Sequence, residues 1–143
     1  MLTVVIDAAT QADRLPMILT QLTAGAVDGI IRQVLLVAPA SQIGLEALCE
    51  ETGAEACPSF AAAAAAGRYD LILVLPADFR FRDGWIRALA DKAAPAIVIG
   101  MREGGLFGRR PTGLLVQRGL LEEGVDDIVA LRRRLPLRVR RIG

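Results

Sequence analysis

Unbroken apolar runs alternate along the chain with segments of helical periodicity. Leu2–Ile6 is a largely β-branched run without polar alternation, as expected of a strand covered on both faces in a parallel sheet. Thr10 stands where a helix cap belongs, and Asp13 favours the same helix start. Leu15, Ile18, Leu19 and Leu22 then repeat at the i, i+3, i+4, i+7 spacing of one helical face. Gly25 and Gly29 are expected to end that helix. Gln33–Ala38 predicts a second buried strand. Ser41 is positioned to cap a second helix, with Leu45, Leu48 and Cys49 inward and Gly53 as its stop. Glu55–Cys57 reads as a short third strand.

Phe60–Ala66 is an alanine run closed by Gly67, and alanine is the best helix former. Its small side chains suit close packing on a sheet. Asp70–Leu75 is the most apolar strand and is expected at the centre. Asp83 is placed to cap a helix with Trp85, Ile86 and Leu89 inward, and Ala96–Ile99 is a further strand. Arg102–Gly113 is rich in glycine and reads as a loop or lid. Leu114–Gln117 predicts a strand, Leu120–Glu123 a helical turn, Asp126–Leu135 a helix and Leu137–Ile142 a last strand. The alternation predicts an α/β fold: three α/β/α layers around a mostly parallel, Rossmann-like sheet. At 143 residues it is expected to form one domain.

Composition narrows the function classes. The chain is 53% apolar and 4% aromatic, with mean hydropathy +0.43. Its strongest apolar run, Leu71–Ala77, is far short of the roughly 20 residues of a membrane span. No basic segment precedes the first apolar run, so no signal peptide is read and a cytoplasmic setting is expected. The sequence contains no histidine, which excludes Ser–His triads and zinc–imidazole sites. Cys49 and Cys57 lack CxxC spacing and read as small buried hydrophobes. Charge is unevenly spread. Residues 1–60 carry seven acids and two bases, and residues 61–143 carry nine acids and fifteen bases. The arginines at 109–110, 132–134, 138, 140 and 141 suit either an anion-facing surface or a solvated helix followed by a protected edge strand. Few aromatics are present for base stacking, so nucleic acid is not expected as a partner.

In an open α/β sheet, chemistry gathers at the carboxyl ends of the strands. Asp7, Ala38–Ser41 and Asp78 fall there. A carboxylate at Asp78 can either cap the turn after its strand or hold a divalent cation against a diphosphate. Asp126 and Asp127 precede the last helix and suit either its N-terminal electrostatics or a general base. The segment Gly104-Gly105-Leu106-Phe107-Gly108-Arg109-Arg110 suits either a phosphate cradle or a flexible connection or lid. It lacks the strand–turn–helix setting of a phosphate-binding loop, which favours the connection or lid.

Several of these segments together resemble the family 2 glycosyltransferases of the GT-A fold. Thr3-Val4-Val5-Ile6 and the Gln11–Leu22 helix are similar to the family's opening "VVIPALNE…L…L". Gln33-Val34-Leu35-Leu36-Val37 is similar to its second strand. "LILVLPADFRFRDGW", Leu71–Trp85, resembles "LLFLHADTRLPPGW", and "VDDIVALRRRLPLRVRRI", Val125–Ile142, resembles "EDxxLxxRLRRxGRVVRL". The resemblance covers nearly the whole chain in order. It implies an inverting transferase acting on a nucleotide-diphosphate sugar, with Asp78 as ligand to Mg²⁺ or Mn²⁺. It makes Asp127 the base with Asp126 beside it, and puts Asp7 and Ser41 on the nucleotide side. The sequence departs from the family where Asp7 replaces Pro, Ala38 replaces the base-reading Asp and Pro76 replaces the first acid of DxD. Those losses imply an eroded donor site. They open the alternative of a catalytically inactive binding or assembly module that acts as a homo-oligomer, its apolar surface buried in a homodimer.

Overall fold

The computed structural model describes residues 1–39, 42, 44–102, 108, 110–136 and 138–142. In chain order its elements are β1 (Leu2–Asp7), a 3-10 turn (Ala12–Arg14), α1 (Leu15–Asp28), β2 (Ile31–Val37), α2 (Leu45–Thr52), β3 (Glu55–Cys57) and α3 (Phe60–Ala66). There follow β4 (Leu71–Pro76), α4 (Trp85–Leu89), β5 (Ala96–Ile99), β6 (Thr112–Gln117), α5 (Arg118–Glu122), α6 (Ile128–Arg133) and β7 (Arg140–Ile142). The strands form one sheet in the order β3-β2-β1-β4-β6-β5-β7, with β4 at the centre as its apolar run predicts.

Alternation along each buried strand splits the core in two. Val4, Ile6, Leu73 and Leu75 face α1, α2 and α4, where Leu15, Ile18, Leu22, Leu45 and Leu89 close the layer. Val5, Leu35, Ile72 and Val74 face Phe60, Ala63 and Ala64 of α3, Leu121 of α5 and Leu131 of α6. These two faces make the three expected layers. One strand departs from parallel: β6 runs antiparallel to both β4 and β5. It fills the gap between two strands that share the direction of β1. Its apolar run has the same burial pattern in either direction, so sequence periodicity does not reveal its sense.

Four expected caps or stops differ. Thr10 caps nothing; the chain passes through the 3-10 turn, and α1 starts at Leu15 with Pro16 in its first turn. Gly25 does not end α1, which continues to Gly29. A Cβ on Gly25 would lie 2.5 Å from Ile31 Cγ1 and 2.6 Å from Trp85 Cη2, so this glycine permits close packing of the helix. Helices α2 and α4 are capped by Gly44 and Gly84, both at positive φ, rather than by Ser41 and Asp83. A side-chain cap needs an extended backbone at the capping residue, and at these two entries the chain turns left-handed instead. Ser41 itself, and residues 103–107 and 109 of the glycine-rich loop, lie outside the described residues.

Two polar details hold the interior. Gln33 of β2 is 7% exposed. It accepts hydrogen bonds from the Thr3 hydroxyl and the Arg68 backbone N–H, and donates to the Ala66 carbonyl, each at 2.9 Å. It therefore ties β1, β2 and the end of α3 together. On the other face, Phe81 stacks on Trp85 at 3.9 Å and meets Phe79 edge-on at 4.9 Å, anchoring α4 to the turn after β4. No helix among the described residues is long and apolar enough to cross a membrane.

Candidate functional site

Strand order reverses between β1 and β4. The chain builds outward from β1 through β2 to β3, then returns to the other side of β1. Such a reversal opens a crevice at the strands' carboxyl ends. Asp7, the last residue of β1, is the register partner of Pro76, the last residue of β4. Asp78 follows in a turn closed by the Phe79 N–H on the Pro76 carbonyl at 3.1 Å. Across the other flank, Gln42 Nε2 donates to the Ala8 carbonyl at 2.8 Å, pinning the chain beyond β2 over the end of β1.

Helix α6 enters this crevice with its N-terminus. Asp127 is its cap: the backbone is extended and Oδ1 accepts from the Ala130 N–H at 2.7 Å. Asp126 precedes it and is exposed. An early and a late segment of the chain meet here. Asp7 receives backbone hydrogen bonds from Ala9 and Ile128 and feels the negative charge of Asp127. Burial is the main force raising its carboxyl above the ordinary 3.8, Asp127 adds to it, and the two backbone donors oppose it.

This shift has a consequence for stability. A folded-state carboxyl raised above its unfolded value binds more protons when folded, so stability falls as pH rises from about 3.8 through the folded value. Replacing Asp7 with asparagine keeps an acceptor for both backbone donors and removes the charge. Asp7→Asn is expected to melt at a higher temperature than the native chain at pH 7, with the gap closing below pH 4. Thermal melts across that range check this; a lower melting temperature for the variant at pH 7 contradicts it.

Beside the α6 N-terminus lies a cleft of about 250 Å³ lined by Pro76, Arg110, Thr112, Ile128 and Arg132 among others. Arg132 reaches Thr112 Oγ1 at 3.4 Å. Two guanidinium groups thus border the crevice that Asp7 and Asp127 define. Arg110 and Arg132 belong to clusters visible in the sequence, but Thr112 and Gln42 carry no signal in spacing or composition. Just past β2, Ala38 is buried and its N–H pairs with the Cys57 carbonyl.

Among the described residues no group of three or more acidic or cysteine side chains is arranged to hold a metal ion. Asp78 is the one carboxylate in the turn that closes β4, since position 76 is proline. A single carboxylate fits Mg²⁺, which is usually held by one or two carboxylates together with substrate phosphates. Cys49 and Cys57 are free, and burial, followed by nearby glutamates, pushes both thiols up. That disfavours the thiolate and suits their reading as packing residues.

No family model matches the chain, and no curated protein matches it. Among solved structures, the fold is similar to that of mannosyl-3-phosphoglycerate synthase from Rubrobacter xylanophilus. The TM-score is 0.58 at 18% identity, over 84% of this chain and 54% of the other. The chain thus spans about half the length of that synthase, and what the two share is the fold.

Proposed function

We propose that the chain is a minimal GT-A-type domain of the glycosyltransferase kind, which takes a nucleotide-diphosphate sugar in the crevice between β1 and β4. The observation that carries this reading is the convergence of Asp7, the Pro76–Asp78 turn and the capped start of α6 at the topological switch point. The fold shared with a sugar-transferring synthase supports it. The diphosphate belongs beside Arg110 and Arg132, whose planar guanidinium groups match phosphate oxygens. The family resemblance assigns Asp7 and Ser41 to the nucleotide.

In the transfer step Asp127 takes the proton of an acceptor hydroxyl, with Asp126 beside it. The acceptor oxygen attacks the anomeric carbon from the face opposite the diphosphate. The bond from that carbon to the diphosphate oxygen breaks, and the electron pair leaves with the diphosphate, with inversion. Because Asp127 Oδ1 is engaged by the helix, proton abstraction falls to Oδ2. Asp78 would hold Mg²⁺ or Mn²⁺, which when bound stabilises negative charge on the leaving diphosphate. Arg110 and Arg132 stabilise the same charge from the protein side.

A second reading, a catalytically inactive binding or assembly module that self-associates, draws on Ala38 and Pro76. Each replaces a carboxylate with a group that neither accepts a hydrogen bond from a base nor ligates a cation. Calorimetric titration separates the two. A panel of nucleotide sugars and nucleoside diphosphates is titrated with and without Mn²⁺, on the native chain and on Asp78→Ala. Metal-dependent binding that Asp78→Ala weakens at least tenfold is the expected result. No metal-dependent binding by any member of the panel would favour the inactive module, for which sedimentation should show a dimer at micromolar concentration.

A further inference from the structure

The uneven charge of the sequence becomes a spatial division in the fold. Residues 1–60 build β1, β2 and β3 with α1 and α2, so the acidic part occupies one side of the sheet. The basic part builds β4, β6, β5 and the edge strand β7. Elsewhere on the basic side arginines find carboxylates. Arg118 lies 3.1 Å from Asp70 and 3.6 Å from Glu122, and Arg134 lies 3.1 Å from Glu123. Arg133, Arg138, Arg140 and Arg141 are exposed and form no salt bridge among the described residues.

These four, with Arg132, line a cleft of about 760 Å³ on the flank of α6 and β7, floored by Ile97, Leu135 and Val139. An exposed edge strand needs charge to resist edge pairing, and Arg140 and Arg141 meet that need. Edge protection explains neither the three further arginines from α6 and the segment after it nor their gathering around a concavity. Like charges so placed repel, and a multiply charged anion relieves that repulsion while using the bidentate geometry of guanidinium. Among the described residues no aromatic side chain lines the cleft, which disfavours stacking of nucleic-acid bases.

We propose that this cleft is a second anion site. It binds phosphate-bearing ligands that present at least two phosphate charges at once, as a free diphosphate or as headgroups on a lipid surface. The site borders the crevice at Asp7, with Arg132 lining both clefts, but its other four arginines lie outside that crevice and it does not depend on sugar transfer. Inorganic pyrophosphate is titrated calorimetrically without metal, and vesicles of phosphatidylglycerol or phosphatidylcholine are tested by cosedimentation. Both use the whole chain and the triple variant Arg138→Gln, Arg140→Gln, Arg141→Gln. Pyrophosphate binding that weakens at least tenfold in the variant is the expected result. Variant-sensitive binding to phosphatidylglycerol vesicles, with none to phosphatidylcholine, assigns the lipid source. The corresponding lysine triple variant keeps the edge charge and covers the case of a misfolded glutamine variant. It loses the guanidinium fork and is expected to bind three- to tenfold more weakly than the native chain. Equal binding by the native chain and the lysine variant overturns the proposal, as does binding of neither pyrophosphate nor anionic vesicles. Variant-sensitive binding of an acidic peptide or duplex DNA in place of both probes would also overturn it.

Discussion

Asp127→Asn is expected to leave the fold intact and to lower sugar transfer by about 10²–10⁴-fold, the usual contribution of a general base. The two roles of this side chain come apart in that variant. As a cap, Asp127 accepts from the Ala130 N–H through Oδ1 at 2.7 Å. Asparagine caps as well as aspartate, so stability should change by less than about 0.5 kcal/mol. As a base, the carboxylate accepts a proton that a carboxamide does not. Asp127→Ala loses both roles and should cost a further ~1 kcal/mol in stability. Urea unfolding measures the first effect. A transfer assay with whichever nucleotide sugar the calorimetric panel identifies measures the second. Undiminished transfer by Asp127→Asn would reduce Asp127 to a helix cap and remove it from the chemistry.

Gln33→Leu is expected to destabilise the chain by about 2–4 kcal/mol. Gln33 satisfies the Thr3 hydroxyl, the Arg68 N–H and the Ala66 carbonyl at once, in a part of the molecule where it is 7% exposed. Leucine fills similar space but leaves those groups without that partner. The Thr3 hydroxyl is buried and the Ala66 and Arg68 groups are partly so, and an unsatisfied buried group costs roughly 1–3 kcal/mol. Thr3 can turn its hydroxyl and recover part of the loss. Thr3→Val breaks one bond of the network and leaves Gln33 two others, so its cost is about 1 kcal/mol. Urea titration of the two variants checks the ranking. A Gln33→Leu cost no larger than that of Thr3→Val would mean that the network contributes little beyond packing.

Much of the fold was legible in local pattern. Glu55–Cys57, Phe60–Ala66 and Ala96–Ile99 form the elements the sequence predicts, with the same limits. Leu71–Pro76 is central and Arg140–Ile142 is an arginine-bearing edge. Apolar runs and helical spacing report burial, and burial is what water exclusion enforces residue by residue. Helix starts were less legible. Gly44 and Gly84 took over from Ser41 and Asp83 because the entry angle of the chain, set by the neighbouring elements, demanded positive φ. Gly25 looked like a stop, yet its reason lies in Trp85 and Ile31, which pack where a Cβ would sit.

The candidate site divides in the same way. Sequence alone placed Asp7 and Asp78 after strands and Asp126 and Asp127 before a helix, because strand ends and helix starts leave local signatures. It also determined that these 143 residues include no histidine and that basic charge collects in the later part of the sequence. Only the tertiary structure decided that β6 runs antiparallel between β4 and β5 and that the sheet reverses beside β1. It alone brought the start of α6 to Asp7, and it alone turned a run of arginines into a lined cleft. Periodicity records how each residue meets water. Strand order and direction, and the meeting of Asp7 with Asp127, depend on how connections close and helices pack across the whole sheet.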